Sequence, residues 1–343
     1  MQSERMDPTP SSTPPFCSPL ARRNFLKKSL AMSMAAPMLM SFEEQALMAQ
    51  EKPASSSAPG AAPVAKLAQG KIGKVQISRL ICGGNLISGY AHSRDLIYVS
   101  NLLKHYFTDE KIMDTWALCE QQGINSMVAY PGDPHAVEVY RKYRQRGGRI
   151  QYLAQINPTR EDLKTCVKEA VDAGAIGAFL VGNLGDLWAR EGEVARIGEL
   201  VKNIKDQGLV AGMAGHELRT IKAVEEAGVN ADFYVKTLHN NNYWSRQQPD
   251  QTKEVIDNYS TDNYWCREPR ETIAFMSEVE RPWIAYKVLA AGAIHPQSGF
   301  RYAFENGADF ALVGMFDFQV AENVKIASGI LGGRMERQRE WMA

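Results

Sequence analysis

A repeat constrains the fold of this sequence more than any other feature. From residue 75 onward, a short apolar run is followed by an amphipathic stretch, and the pair recurs eight times. The apolar runs do not alternate with polar residues, which is typical of parallel strands that helices cover on the outside. Eight such units in about 260 residues are typical of an α/β (β/α)8 barrel, or TIM barrel. We predict this fold over residues 75–333, followed by a C-terminal tail at 334–343, with a doubly wound open sheet as the alternative.

The helices of this repeat are also punctuated regularly. A glycine commonly ends a helix before the chain enters the next strand, because it adopts positive φ without steric cost. Glycines stand at this point in most of the units: Gly123, Gly148, Gly174, Gly208, Gly228 and Gly307. No change of composition interrupts the series, so we predict one domain of catalytic size.

Residues 1–49 are predicted to be an export signal that is not part of the barrel. Arg22 and Arg23 are followed by Asn-Phe-Leu-Lys and an apolar stretch shorter than the roughly 20 residues of an ordinary membrane span. This pattern resembles the twin-arginine export signal, with Ala21 in place of its usual Ser or Thr. The resemblance implies the twin-arginine machinery as a partner and a periplasmic or extracellular mature protein. No second hydrophobic segment reaches spanning length, so we expect that the mature protein does not span the membrane. Residues 50–74, rich in Ala, Pro and Ser, are predicted to be a disordered linker.

The charge balance and the cysteines exclude several function classes. Lys plus Arg and Asp plus Glu both number 39, so the formal net charge is zero. A protein that binds nucleic acid through bulk electrostatics would carry an excess of positive charge, and we therefore expect a small-molecule ligand and no nucleic acid. The five cysteines show no CxxC spacing, which argues against a zinc knuckle or a disulfide framework.

Polar side chains cluster where the predicted barrel strands end. In a barrel, the loops after the strands form the active face. Carboxylates are scarce at these positions, so the mouth is predicted to be a polar pocket for a small sugar-like or carbonyl substrate and not a glycosidase-like pair of acids. The residues predicted to bind or activate the substrate there are Asn85, Tyr130, Gln155, Asn157, Asn183, His216, Lys236, His239 and Lys287.

The two ends of the barrel region resemble the aldo/keto reductase superfamily. At the start, "ISRLICGGNLISG" and a helix leading to Gly-Ile-Asn at 123–125 match the family's opening, and "ALVGMFDFQVAENVKIA" at 311–327 matches its closing segment. The resemblance implies a barrel fold and a nicotinamide cofactor, NAD(P). It would place four residues beside that cofactor: Gly314, Gln319, Glu322 and Asn323.

The catalytic positions of that superfamily have changed in this sequence. Val128 stands at the position of the expected aspartate, and Asp133 stands near that of the expected tyrosine. Amides replace the lysine expected after the third strand, and the histidine expected after the fourth strand is absent. Reduction of a carbonyl needs a group that protonates the developing alkoxide, and Tyr130 could supply it only from a shifted position.

Two lysines at the ends of the sixth and seventh strands resemble those of class I aldolases of the deoxyribose-phosphate aldolase type. These are Lys236 in "FYVKT" and Lys287 in "IAYKVLAAGAI". The resemblance implies a Schiff base on Lys236, with Lys287 keeping its pKa low so that the neutral amine is the nucleophile. A lysine can instead act as a plain cation toward an anionic group, or be a structural residue, and the sequence leaves these alternatives open.

A divalent metal site is a further hypothesis. His216 and His239 close successive strands and could act as ligands together with Glu217 or Asp317. Such a site needs three or four nitrogen or oxygen ligands that converge. The alternative is two imidazoles that hydrogen bond in a sugar pocket.

The loop after the sixth strand is long and rich in aromatic residues. Long loops in compact domains are usually functional. Trp244 and Trp265 stand among Asn, Gln, Arg and Asp residues, a composition that suits stacking on a sugar, although a loop that packs on itself remains the alternative.

Together these features predict an exported barrel that acts on a small sugar-like or carbonyl substrate through lyase or isomerase chemistry, using lysine and histidine. The first alternative is an NAD(P)-dependent oxidoreductase with a rebuilt catalytic set. The second is a barrel that binds sugars without catalysis.

Overall fold

The computed structural model describes residues 67–90, 96, 98–248 and 265–343. The predicted export signal, most of the predicted linker and the middle of the loop after the sixth barrel strand lie outside the described residues. Among the described helices, none is both long and apolar enough to cross a membrane.

The described chain begins with an antiparallel hairpin formed by β1 (Gln69–Ile72) and β2 (Val75–Ser78). The linker was predicted to extend to residue 74, so strand β1 places ordered chain earlier than that boundary. The reason is burial: Ile72, Val75 and Ile77 pack among the innermost side chains of the barrel. This packing stabilises the hairpin, since each fully buried aliphatic side chain contributes about 1.5–3 kcal/mol.

The predicted (β/α)8 barrel is confirmed. The structure has a closed barrel of eight parallel strands in chain order, with the last strand paired to the first. The strands are β3 (Leu80–Gly83), β4 (Ser126–Ala129), β5 (Gln151–Ile156), β6 (Gly177–Leu180), β7 (Val210–Gly215), β8 (Phe233–Thr237), β9 (Trp283–Tyr286) and β10 (Phe310–Gly314).

Helices surround the barrel and bury the outer faces of its strands. They are α1 (Val99–Tyr106), α2 (Asp109–Gln121), α3 (Pro134–Gln145), α4 (Thr165–Asp172), α5 (Gly182–Arg190), α6 (Val194–Asp206), α7 (Leu218–Glu226), α8 (Pro269–Glu278), α9 (Pro296–Glu305) and α10 (Asp317–Leu331). Helices α1 and α5 are additional to the predicted one helix per strand. No helix was predicted for the α5 segment, and its buried face includes Trp188.

One predicted helix-ending glycine was assigned one residue too late in the chain. Gly147, and not Gly148, takes the left-handed conformation after α3, with φ of 92°. Gly148 is needed for a different reason, because a Cβ atom there would lie 2.1 Å from the Tyr143 ring. The other predicted stops all have positive φ.

The last residues of the described chain pack against the N-terminal end of the barrel. Asp309 is fully buried just before β10 and accepts hydrogen bonds from the backbone N–H groups of Trp283 and Met342. Arg339 lies 3.5 Å from the same carboxylate. The guanidinium groups of Arg79 and Arg337 both lie over the Trp341 ring, at 3.9 and 3.5 Å from its centroid. Residues 334–343 are therefore a packed part of the barrel.

Candidate active site

Alternation along the strands determines which side chains face the barrel lumen. Val235 on β8 and Ile284 on β9 belong to the inner cluster, as does Ala214 on β7. Because successive side chains point to opposite faces of a strand, the next inward positions toward the mouth are Thr237, Tyr286 and His216. The pairing of Thr237 with Tyr286 and of Gly215 with Lys236 places these three side chains next to one another. We call His216, Thr237 and Tyr286 the lumen-mouth group.

A buried carboxylate orients His216. Asp186 lies on α5 and is only 3% exposed. One of its oxygens lies 2.8 Å from His216 Nδ1, and the carboxylate also accepts from the backbone N–H groups of His216 and Glu217 and from the hydroxyl of Thr220. Acceptance of so many donors indicates that Nδ1 carries the proton, so Nε2 is the nitrogen that can accept one. This is the arrangement by which a carboxylate holds a histidine ready for proton transfer.

The environment keeps His216 neutral. Burial lowers the pKa of its imidazole to about 4, although the hydrogen bond and the negative charge of Asp186 raise it. The positive charges of Lys287 and Lys236 lower the pKa further. At neutral pH, His216 is therefore a neutral proton acceptor.

Helix α5 begins directly against the lumen-mouth group. A Cβ atom on Gly182 would lie 2.5 Å from the Tyr286 hydroxyl oxygen and 2.7 Å from His216 Cε1. These distances are shorter than van der Waals contact, so this position requires glycine. The close approach places the first residue of α5 next to both side chains.

Lys287 follows Tyr286 directly and has a strained backbone. Its φ is 60°, and Ala290 and Ala291 in the same turn have φ of 45° and 58°. Residues with a Cβ atom rarely take such values, and the cost is about 1–3 kcal/mol for each. Strain of this kind concentrates at functional sites. The positive charge of the Lys287 side chain contributes to the lowered pKa of His216.

Lys236 occupies a different place from the one the sequence predicted. It is 1% exposed, and Tyr234, two residues earlier on the same face of β8, belongs to the outer core cluster. Its ammonium donates hydrogen bonds to the carbonyl oxygens of His216 at 2.8 Å and of Thr237 at 3.0 Å. Burial lowers its pKa. Lys236 therefore lies between strands and helices, where it holds the ends of β7 and β8 together, while its neighbour Thr237 takes the lumen-facing position.

His239 also lies away from the lumen-mouth group. Its Nδ1 lies 2.9 Å from the carbonyl oxygen of Asn240, and its Nε2 accepts the backbone N–H of Cys266 at 2.9 Å. The ring packs edge-on against Tyr243. Because residues 240 and 266 lie on either side of the long loop, His239 joins the two ends of that loop.

The remaining predicted substrate-binding residues are distributed around the mouth. Gln155 is the penultimate residue of β5, in an inward position, and is half-buried, whereas Asn157 just beyond the strand is exposed. Asn183 is not in a loop but is the second residue of α5, and its Oδ1 atom is buried. The Tyr130 ring covers Gly132. Asn85 and Trp265 are half-buried, and Trp244 is 80% exposed.

The predicted metal ligands do not converge. Glu217 forms ion pairs with Arg190 and Arg219. Asp317 accepts hydrogen bonds from Tyr106 and from Lys111, the latter at 2.8 Å. Over the described part of the chain, no three His, Cys, Asp or Glu side chains are grouped in a way that could hold a metal ion.

The predicted nicotinamide-binding residues lie at the end of β10 and on α10. The side chain of Gln319 accepts the backbone N–H of Phe316 and so caps α10. Asn323 is 3% exposed inside the helix packing, while Glu322 and Gly314 are exposed. Two of the four side chains, Gln319 and Asn323, are thus engaged within the protein, and we derive no step through a nicotinamide cofactor.

Comparison with known proteins supports the fold alone. No protein-family model matches the chain, and no curated protein matches it. Among solved structures, a provisionally assigned aldo-keto reductase from Pseudomonas aeruginosa is 17% identical, with a TM-score of 0.52 over 77% of this chain and 96% of that chain. A second structure of a provisionally assigned aldo-keto reductase from the same organism is 19% identical, with a TM-score of 0.51 over 77% and 94%. At this level of identity, the chain shares a barrel fold with these proteins.

Three residues of the site were missed from the sequence: Asp186, Thr237 and Tyr286. Thr237 and Tyr286 stand next to the lysines that were chosen, and a count of inward positions along each strand would have found them. Asp186 carries no such signal, because it lies on a helix that the repeat does not require.

Proposed function

We propose that this chain is an enzyme that transfers protons on a small carbonyl-bearing, sugar-like substrate in a lyase or isomerase reaction. The observation that carries this proposal is His216, held by Asp186 at the mouth of the barrel and placed beside Lys287. Active sites of such barrels lie at this end. A neutral imidazole with a fixed tautomer is suited to general acid–base chemistry at neutral pH.

In the proposed reaction, His216 moves the proton and Lys287 stabilises the negative charge that develops. Nε2 of His216 removes a proton from the carbon next to the substrate carbonyl, and the electron pair of that C–H bond moves onto the carbonyl oxygen. The ammonium of Lys287 stabilises the resulting enolate. The proton then returns to the former carbonyl carbon, and the hydroxyl proton of the neighbouring carbon moves to the enolate oxygen, which gives the isomer. In the lyase direction, His216 instead removes the proton of a hydroxyl group, the C–O bond becomes a carbonyl as the adjacent C–C bond breaks, and the electrons of that bond form the enolate of the shorter fragment.

Lys287 acts as a cation in this proposal, and Lys236 forms no Schiff base. The hydrogen bonds of Lys236 to two carbonyl oxygens and its position outside the lumen support this assignment. Gln155 lies on the lumen side and is suited to orient substrate hydroxyl groups.

Hydrogen–deuterium exchange tests the proposal without knowledge of the substrate. The full chain is incubated in D2O with a panel of small aldoses, ketoses and 2-oxo acids, and NMR follows the loss of the C–H signal next to the carbonyl. We expect catalysed exchange for at least one class, its loss in His216→Gln, and its retention in the control His105→Gln, which changes an exposed histidine on α1. Exchange that is equal in the wild type and His216→Gln would refute the assignment of His216.

Two further outcomes decide between the alternatives. Saturable binding of NADP or NAD by calorimetry, together with reduction of a carbonyl compound, would favour an oxidoreductase with a rebuilt catalytic set. Binding of sugars without exchange or turnover would favour a barrel that binds but does not catalyse.

We also propose that the protein is exported by the twin-arginine machinery to the periplasm or beyond. The support is the sequence Arg22-Arg23-Asn-Phe-Leu-Lys alone. Cell fractionation of the wild type and of a variant with Arg22→Lys and Arg23→Lys tests it. Equal amounts of both proteins outside the cytoplasm would contradict export by this route.

A further inference from the structure

The N-terminus of α5 has backbone donors that neither the helix itself nor a capping side chain of the preceding residue satisfies. The first bond of the helix runs from Gly185 N–H to the carbonyl oxygen of Val181, and the residue before the helix provides no side-chain cap. Among the described residues, the N–H groups of Gly182, Asn183 and Leu184 have no backbone acceptor, because they precede this first helical bond. Such groups, with the positive end of the helix dipole, attract an anion.

Buried polar atoms at the same place also lack partners, and they are the independent sign of a ligand. Thr237 is 0% exposed and faces the lumen beside His216 and Tyr286, yet its hydroxyl has no hydrogen-bond partner among the described residues. The Oδ1 atom of Asn183, the second residue of α5, is also buried without a hydrogen-bond partner among the described residues. Polar atoms buried without partners are costly, about 1–3 kcal/mol each. Thr237 pairs with Tyr286, whose hydroxyl meets the start of α5, so both atoms belong to elements that meet there, and they point to a group that binds between them.

The surrounding charge favours a negative ligand. Lys287 carries a positive charge beside His216, which is itself neutral. The two carboxylates nearby in the fold are both engaged: Asp186 keeps its charge and accepts four hydrogen bonds, and Glu217 pairs with two arginines. An anion at the α5 terminus therefore meets donors and positive charge.

We propose that the N-terminus of α5 binds an oxyanion of the substrate, a carboxylate or a phosphate group, with Lys287 and the Thr237 hydroxyl as its side-chain partners. This inference rests on the proposed function, whose substrate class it narrows to small hydroxylated carbonyl compounds that carry a negative charge. The anion would fix the substrate so that its carbonyl lies between His216 and Lys287. The absence of a Cβ atom at Gly182 leaves the helix terminus close to the reacting groups.

Binding of simple anions tests this site independently of catalysis. Acetate and inorganic phosphate are titrated separately into the ¹⁵N-labelled full chain, and the backbone amide signals of Gly182, Asn183 and Leu184 are followed by NMR. We expect saturable shifts of these signals with at least one anion. A response to acetate alone assigns a carboxylate substrate, and a response to phosphate alone assigns a phosphate ester.

A matched pair of variants separates the site from general charge effects. Asn183→Asp places a carboxylate at the second position of α5, where it stabilises the helix but competes with the anion; we expect affinity to fall about tenfold. Ala195→Asp makes a similar addition of charge at the second position of α6, on an exposed side chain, and should leave the affinity unchanged.

Two results would overturn the inference: no saturable shift with either anion, or the same loss of affinity in both variants. Neither depends on the exchange assay. If exchange occurs but no anion binds, the subsite is wrong and the proposed reaction stands; if anions bind but no exchange occurs, the proposed reaction is wrong.

Discussion

The ionisation of His216 makes the stability of this protein depend on pH in a defined window. The imidazole has a pKa of about 4 in the folded protein, against 6.5 as its ordinary value. The unfolded chain therefore binds a proton between pH 6.5 and 4 that the folded chain does not bind. Since protons then favour the unfolded state, the free energy of unfolding falls as the pH falls through this window and does not change further on this account below about 4.

The size of the effect follows from the same two values. Each tenfold difference in proton affinity corresponds to about 1.4 kcal/mol, so the folded protein should lose about 3 kcal/mol of stability between pH 7 and 4 through His216 alone. The His216 side chain is 10% exposed, so solvent screens this effect little. A loss of this size is a large part of the stability of an ordinary domain.

Urea unfolding at a series of pH values measures this contribution. The wild type, His216→Gln and the control His105→Gln are unfolded at pH values from 7 to 4, with tryptophan fluorescence as the signal. We expect His216→Gln to be less sensitive to acid than the wild type by about 3 kcal/mol over this range. His105→Gln should follow the wild type, because His105 is exposed.

The comparison depends on how the free energy of unfolding of each variant changes with pH, and not on its absolute value. His216→Gln can lower stability at every pH, because Asp186 loses a partner, without affecting the argument. Parallel curves for the wild type and His216→Gln would refute the reasoning. An NMR titration in which the His216 ring protonates near pH 6.5 would refute it equally.

Three further predictions test the geometry around this histidine. Gly182→Ala should lower activity and anion binding strongly, because its Cβ atom would lie within 2.7 Å of Tyr286 and His216. Gly198→Ala on α6, where the nearest atom lies at 3.5 Å, should instead raise the free energy of unfolding, measured in urea, by about 1 kcal/mol. Equal behaviour of the two variants would contradict the packing described. Borohydride treatment with substrate, followed by peptide mapping, should leave Lys236 unmodified, and an adduct on it would show that the lysine reaches the lumen. His239→Ala should cost about 1–3 kcal/mol and speed hydrogen exchange at the Cys266 amide, which loses its buried acceptor; unchanged exchange there would show that His239 does not hold the loop ends together.

The pattern of the sequence predicted the barrel because burial of parallel strands leaves a strong signal. Eight apolar runs, each followed by an amphipathic helix, have few ways to cover one another, and the closed barrel is the solution that the structure shows. The hairpin β1–β2 and the helices α1 and α5 were not predicted. These elements are stabilised by packing against the barrel. Such packing leaves no regular spacing of apolar residues from which the elements could be predicted.

The sequence also determined which residue types gather at the mouth, since chain order alone places the ends of parallel strands on one side. Which side chains enter the lumen was decided only by the tertiary structure. Lys236 and Thr237 are neighbours in the chain, yet the pleat of β8 directs the lysine to the helices and the threonine to the lumen. A shift of one residue in register would exchange them. Asp186 reaches His216 from a separate helix, across 30 residues of sequence. Contacts of this kind are set by how α5 packs on β7, and no local pattern of residues carries that information.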